Sequence, residues 1–255
     1  MGAFAAQVGK DGEPVTFQEA LDEHPTWWQK AIAEEYASHK ENGTWRPATL
    51  PAGRKALSTK WVFKNKTNAD GSTRHKARLV VRGFEQKQGI DFQEWFAPVA
   101  KFPTVRILLA LATHFDGEIH QMDVKMAFLY PEIKDEFYIS IAEAYQQFHP
   151  DEALMEEVFR LQKTLYGLRQ SPLAWYKVVD KYLRSKGLVR SNEDASLYIS
   201  EQLIVILFVK NILLFAKDMA TIQEAKGWLT SQYMMSNLGE LKQFLGMQIT
   251  GNRRD

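Results

Sequence analysis

The chain has 255 residues, 45% of them hydrophobic and 25% charged, with a formal net charge of +1. That length and apolar fraction support one large domain or two modest ones, and the near-neutral balance leaves any nucleic-acid argument to local charge. The absence of cysteine excludes disulfides, thiolate zinc sites and thiol catalysis.

No basic flank with an apolar core opens the chain, so no signal peptide is expected, and residues 1–15 read as a loose Gly/Ala-rich segment. Thr16 with Glu19, and Thr26 with Gln29, match the capping box and predict two helices, the second reaching Asn42-Gly43. Residues 60–66 and 76–83 read as strands around an Asn68-Ala69-Asp70-Gly71 turn. Their alternation puts Trp61, Phe63, Ala77, Leu79 and Val81 on one face. Lys60, Val62, Lys64, Lys66, Lys76, Arg78, Val80 and Arg82 fall on the other.

A helix follows Pro103, where Val105, Leu108, Leu109 and Ala112 repeat at helical spacing. A strand then ends in Ile119-His120-Gln121-Met122-Asp123. Pro172 opens another helix reaching Lys186 before Gly187. Residues 203–209 and 212–216 predict an antiparallel pair turning at Lys210-Asn211. A polar helix over about 219–232 and a last strand near 244–249 follow. The run Leu203 to Ala216 is too short to span a bilayer and is interrupted by Lys210 and Asn211, so no membrane association is expected. Helices mixed with antiparallel hairpins indicate an α+β fold.

Three features bear on chemistry. From Arg54 to Lys87 ten cations (Arg54, Lys55, Lys60, Lys64, Lys66, Arg74, Lys76, Arg78, Arg82, Lys87) face two acids, Asp70 and Glu85. A strand face supplies cations at every second residue, which suits phosphate binding and equally suits a plain solvated surface. Asp123 closes an apolar strand. Such a residue is commonly a turn or cap, and a catalytic reading needs a partner carboxylate, for which Asp91, Asp116 and Asp194 are all open. Lys210-Asn211 reads as an ordinary surface turn. The scattered histidines match no zinc spacing.

Several stretches together resemble the reverse-transcriptase domain of copia-type retrotransposons. They include Lys60-Trp61-Val62-Phe63-Lys64, Lys76-Ala77-Arg78-Leu79-Val80-Val81-Arg82-Gly83-Phe84, Phe96-Ala97-Pro98-Val99 and Gln121-Met122-Asp123-Val124-Lys125. Leu165-Tyr166-Gly167-Leu168-Arg169-Gln170-Ser171-Pro172 and Phe244-Leu245-Gly246 continue the series. Order and spacing match from about residue 17 to 249.

The resemblance implies a right-hand polymerase over residues 16–255, with fingers mainly in 45–100 and a palm of antiparallel strands backed by helices mainly in 101–255. It implies that Asp123 is the first palm aspartate and a ligand of Mg²⁺ or Mn²⁺. It places Lys76, Arg78, Phe128, Gly167 and Ser171 around the incoming dNTP, and Lys60, Lys64, Lys66 and Arg82 on an RNA or DNA primer–template. The expected setting is intracellular: cytoplasm, virus-like particle or nucleus.

The family's palm hairpin reads aromatic-Val-Asp-Asp, whereas here it reads Phe208-Val209-Lys210-Asn211. Two-metal phosphoryl transfer needs carboxylates that hold two cations about 4 Å apart. Asp123 and Lys210 cancel in charge and Asn211 adds none, so the resemblance implies a polymerase-dead chain with an incomplete metal site. Trp95 and Tyr130-Pro131 also depart from the pattern, and no thumb or ribonuclease H region is expected. The competing functions are a non-catalytic nucleic-acid-binding module on the basic hairpin and a protein-interaction scaffold.

Overall fold

The computed structural model describes residues 13–67, 71–152 and 156–251. Most of the expected loose segment, and Asn68 to Asp70 of the hairpin turn, lie outside the described residues. In chain order the elements begin with α1 (Phe17–Glu23), α2 (Pro25–Glu41), β1 (Trp45–Ala48), β2 (Thr59–Thr67) and β3 (Thr73–Val81). Next come α3 (Phe102–Phe115), β4 (Glu118–Val124), β5 (Tyr138–Ser140), α4 (Tyr145–Phe148), β6 (Val158–Leu161) and α5 (Ser171–Ser185). The chain continues through β7 (Val189–Arg190), β8 (Leu197–Ile199), β9 (Leu203–Phe208), β10 (Asn211–Ala216) and α6 (Met219–Gln232). It closes with β11 (Met235–Glu240), β12 (Gln243–Phe244) and β13 (Met247–Gln248). This is the mixed α+β composition expected. The chain divides into two compact units, Met1–Trp95 with Phe128–Ser171 and Phe96–Ala127 with Pro172–Asp255.

In the first unit, α1 opens on the expected capping box: Glu19 N donates to Thr16 Oγ1 at 3.1 Å, and the Glu19 carboxylate accepts from Thr16 N at 3.4 Å. The second expected box does not form. Helix α2 starts two residues earlier, at Pro25 with His24 as N-cap and no side-chain cap. Proline at the first helical position needs no partner for its missing N–H and already has a helical φ, so it sets the start ahead of Thr26.

Trp28, Ile32 and Tyr36 of α2 are buried with Trp61, Phe63, Ala77 and Leu79 of the β2–β3 hairpin. Rings meet edge-on at 5.1 Å (Trp28–Phe63) and 5.2 Å (Tyr36–Trp61). The apolar half of the alternation is thus the packing face. A small sheet of order β1-β6-β5, not anticipated from the sequence, completes this unit. Its strands are too short for a clear period-two signal, and Pro47 is tolerated in β1 because β1 is an edge.

The second unit is built on a six-stranded antiparallel sheet of order β11-β4-β10-β9-β8-β7. One face is divided. Ile119, Ile206, Leu213 and Phe215 pack under Val105 and Leu108 of α3. Further along the same face, Gln121, Asp123 and Asn211 are only half-buried. The apolar part of the alternation therefore fixes α3, and the polar part marks the open end.

The opposite face carries Met122, Val124, Ile212 and Leu214, all buried. It also carries His120, whose Nδ1 lies 2.7 Å from the buried Lys226 Nζ of α6. Burial pushes the pKa of both groups down, and Lys226 lowers that of His120 further, because two adjacent cations out of water are unfavourable.

Two sequence expectations are corrected here. The final strand expected over 244–249 is instead a tight hairpin, β12–β13, turning at Leu245 and Gly246, whose φ values are +50° and +80°. The turn between β9 and β10 is Val209-Lys210, not Lys210-Asn211. Asn211 belongs to β10, where it stands opposite Phe208 on one side and Asp123 on the other. Two ladders hold its backbone extended, which overrides its own turn preference.

Candidate functional site

Strand β4 lies between β11 and β10 and presents Asp123 at its end, with Ser236 and Asn211 as cross-strand neighbours. Directly opposed residues of an antiparallel pair share a face, so Asp123, Asn211 and Gln121 form one polar patch. Within it, Gln121 Nε2 donates to Asn211 Oδ1 at 2.8 Å.

The hairpin tip is held from several sides. Val124 N donates to Lys210 O at 2.8 Å, continuing the ladder past Asn211. Trp175 Nε1 of α5 donates to Val209 O at 2.7 Å. Val209 itself has φ +55°. A β-branched residue in the left-handed region costs on the order of 1–2 kcal/mol, and the Trp175 bond and the two ladders hold it there. So held, the tip directs Lys210 at Asp123, and Lys210 Nζ forms an ion pair with Asp123 Oδ2.

The other aspartates considered are committed elsewhere. Asp194 accepts from Lys101 N at 2.8 Å, Thr104 Oγ1 at 2.6 Å and Ser196 N at 3.0 Å, securing the start of α3. Burial raises its pKa, but these hydrogen bonds outweigh that and hold its carboxyl below the ordinary range. Asp116 is the left-handed C-cap of α3, ahead of the far end of β4. Asp91 accepts from Lys87 N at 2.6 Å within a local turn. Among the described residues, no three His, Asp or Glu side chains gather in a way that could hold a metal ion.

In the other unit, β2 and β3 pair in register, with Lys60 opposite Val80, Val62 opposite Arg78, Lys64 opposite Lys76 and Lys66 opposite Arg74. Lys60, Lys64, Lys66, Arg74 and Arg82 are exposed, while Lys76 and Arg78 are half-buried. The face is not purely basic. Glu13 reaches back so that its carboxylate pairs with Lys64 Nζ and accepts from Asn65 N at 2.9 Å. That contact spans about fifty residues of sequence and was invisible to local pattern reading.

Arg78 lies 5.3 Å from the centroid of Tyr166, whose ring meets that of Phe128 at 5.3 Å. Arg78, Phe128 and the Tyr166-Gly167 turn are thereby brought together, and only Tyr166 was not singled out from the sequence. Gly167 has φ +92°, and a Cβ there would lie 2.0 Å from Val81 O, so no other residue fits. Ser171 is buried and donates its hydroxyl to Leu165 O at 2.7 Å, closing the turn that starts α5.

With this geometry in view, comparison with known proteins is specific. The family described as reverse transcriptase (RNA-dependent DNA polymerase) matches residues 42–254. The retrovirus-related Pol polyprotein from transposon TNT 1-94 of Nicotiana tabacum is 39% identical over 254 residues, covering 96% of this chain and 19% of that protein. The Pol polyprotein from transposon RE2 of Arabidopsis thaliana is 31% identical over 252 residues, covering 96% of this chain and 17% of that protein. The Ty1-ER2 Gag-Pol polyprotein of Saccharomyces cerevisiae is 29% identical over 206 residues, covering 78% of this chain and 11% of that protein. The chain belongs to the reverse-transcriptase family, in its copia-type retrotransposon branch. It spans less than a fifth of the length of these curated relatives.

Reverse transcriptases typically use divalent metals. The donor set around Asp123 does not suit them. Its carboxylate is paired with an ammonium, and the two nearby amides, Gln121 and Asn211, are bonded to each other. Magnesium is a hard cation that sheds water reluctantly, and a single shared carboxylate offers it little. Among the described residues no helix is long and apolar enough to cross a membrane.

Proposed function

We propose that this chain is a copia-type reverse-transcriptase domain that retains the polymerase scaffold without templated synthesis, and that it binds nucleic acid through its basic hairpin. In this reading the hairpin belongs to the fingers, and the six-stranded sheet is the palm. Asp123 is the remaining palm aspartate, and Lys210 and Asn211 stand where its partners are lost. Lys76, Arg78, Phe128, Gly167 and Ser171 mark the ancestral dNTP contacts.

The observation that carries the reading is the Lys210–Asp123 ion pair, an ammonium on the one carboxylate that a metal would need. Two metals would neutralise charge on the attacking and leaving oxygens. These residues cannot hold them, so the chain is left with its binding surface. Lys60, Lys64, Lys66 and Arg82 point that surface at the phosphate backbone of RNA or DNA without reading bases.

Primer extension in Mg²⁺ or Mn²⁺ is expected to yield no product. Binding to a primer–template is expected to be weak and to fall about tenfold for each several-fold rise in salt. Changing Lys64, Lys76 and Arg78 together to Glu should abolish it. Extended primer would overturn the inactive assignment, and binding unchanged by the triple reversal would place the interface elsewhere.

A further inference from the structure

We propose that His120 and Lys226 form a proton-operated latch: their buried nitrogen–nitrogen contact seats α6 on the six-stranded sheet through one shared hydrogen, and a second proton, taken up in mild acid, releases the helix. The latch lies wholly within the second compact unit. It stands whether or not the basic hairpin binds nucleic acid.

Helix α6 buries Ile222, Ala225, Lys226 and Leu229, which recur at helical spacing and form one stripe. Ile222, Ala225 and Leu229 are apolar, as a stripe laid on a sheet requires. Lys226 is the exception, in the middle of the stripe and only 6% exposed. Among the described residues no carboxylate pairs with its Nζ, and its side chain bonds only His120 Nδ1, at 2.7 Å. A buried cation with no carboxylate partner is costly, so this one contact decides whether the helix stays seated.

His120 is 8% exposed and meets groups from each neighbouring element. Glu118, on its own strand, brings Oε2 to 3.6 Å from His120 Nε2. Strand β11 sets Glu240 directly opposite, β10 sets the apolar Leu214 opposite, and α6 supplies Lys226. The two carboxylates favour an imidazolium, whereas burial and the lysine oppose it. Burial, the largest effect, and Lys226 prevail, so the pKa of His120 lies below its ordinary 6.5.

Two nitrogens in hydrogen-bond contact have room for one hydrogen between them. With Lys226 donating, His120 Nδ1 accepts, and the imidazole hydrogen sits on Nε2, toward Glu118. A proton added to His120 makes Nδ1 a donor too, so two donors of like charge face each other out of water. Separating α6 from β4 lets both groups reach solvent. In the released helix the imidazole regains its ordinary 6.5, while the seated one stays lower. The seated state is therefore fully favoured above 6.5 and loses ground as pH falls from there through the lower value. One pH unit below 6.5, the opening equilibrium rises about threefold to tenfold. Helix α6 packs against β4, β10 and β11, which carry Asp123, Asn211 and Ser236, so its release removes the backing of the candidate site.

The test is amide hydrogen exchange of the full chain at about pH 7.5 and about pH 5.5, corrected for intrinsic exchange. Helix α6 is compared with α3, which packs under Ile119, Ile206 and Leu213 on the sheet's other face. In the parent, opening of α6 should rise about threefold to tenfold at the lower pH while α3 is unchanged. His120→Asn keeps an acceptor oxygen close to the Nδ1 position and does not titrate, so its α6 should ignore pH. Lys226→Met removes the facing donor. Nuclear magnetic resonance titration of the His120 ring should give a midpoint below 6.5 in the parent and a higher one in Lys226→Met.

Equal opening of α6 at both pH values overturns the latch, as does an equal rise at α3, which would mark a general loosening in acid. A pH response that survives in His120→Asn assigns the proton to another group and overturns it too. If His120→Asn does not fold, the ring titrations decide. A parent midpoint at or above 6.5, or one that Lys226→Met leaves in place, overturns the latch.

Discussion

Replacing Lys210 and Asn211 together by Asp tests the metal argument at its physical source. Lys210 and Asp123 form their ion pair with 42% and 20% of the side chains exposed. A divalent cation brought within roughly 4 Å of that ammonium meets a repulsion of about 8 kcal/mol at an effective dielectric of 20, and about 2 kcal/mol at that of water. A side chain this exposed belongs nearer the lower figure, which still weakens metal binding about thirtyfold. The substitution removes the repulsion and places two further carboxylates at the patch, since Asn211 already stands directly across from Asp123.

Without metal these carboxylates repel, and like charges directly opposed across strands cost roughly 0.2–1 kcal/mol. With Mn²⁺ at a hundred times its Kd, the folded state gains about 2.7 kcal/mol. In a chain of this size that raises Tm by about 5–10 °C. Thermal melts in EDTA and across a Mn²⁺ titration give the readout, with Asp123→Ala in the double variant as control. The double variant should melt below the parent in EDTA and above it in Mn²⁺, while the parent stays unmoved. A double variant that folds normally and whose Tm ignores Mn²⁺ would refute the electrostatic account. The defect would then lie in the geometry of the sheet.

Gly167→Ala should cost about 3 kcal/mol or more, since its Cβ meets Val81 O at 2.0 Å. Gly187→Ala, with φ +84° and nothing within 4 Å, should cost only about 1–2 kcal/mol. Equal urea midpoints for the two variants would contradict the close crossing. Glu13→Gln should strengthen binding of a labelled oligonucleotide about two- to fivefold at low salt by freeing Lys64 from its carboxylate; an unchanged or weaker affinity would show that Glu13 does not compete there. The folded pKa of Asp194 lies below its ordinary 3.8, so its contribution is complete above that value and is lost as pH falls through the depressed folded value. Asp194→Asn should therefore flatten the acid limb of stability against pH below about 4, and an acid limb as steep as the parent's would exclude this carboxylate as a source.

Much of the fold was legible because burial leaves a local period. Trp61 and Phe63 against Lys60 and Lys64 declared a two-faced hairpin, the apolar runs at 203–209 and 212–216 declared a buried pair, and Pro172 marked a helix start. Asp123 and Lys210-Asn211 could be singled out from the sequence as well, through motifs whose order along the chain resembles one family. Tertiary structure alone decided the rest. Lys210-Asn211 has the composition of a turn, yet Asn211 is drawn into β10 by two ladders at once, and the strained φ falls on Val209, the residue least suited to it. The ion pair joins residues 87 positions apart, and it exists because β10 lies beside β4 in the sheet order. Glu13 on Lys64, and Trp27 laid on His75, are likewise contacts between distant segments. Local periodicity encodes which face of an element is buried; which elements become neighbours is set by the packing of the whole unit, and no residue spacing carries it.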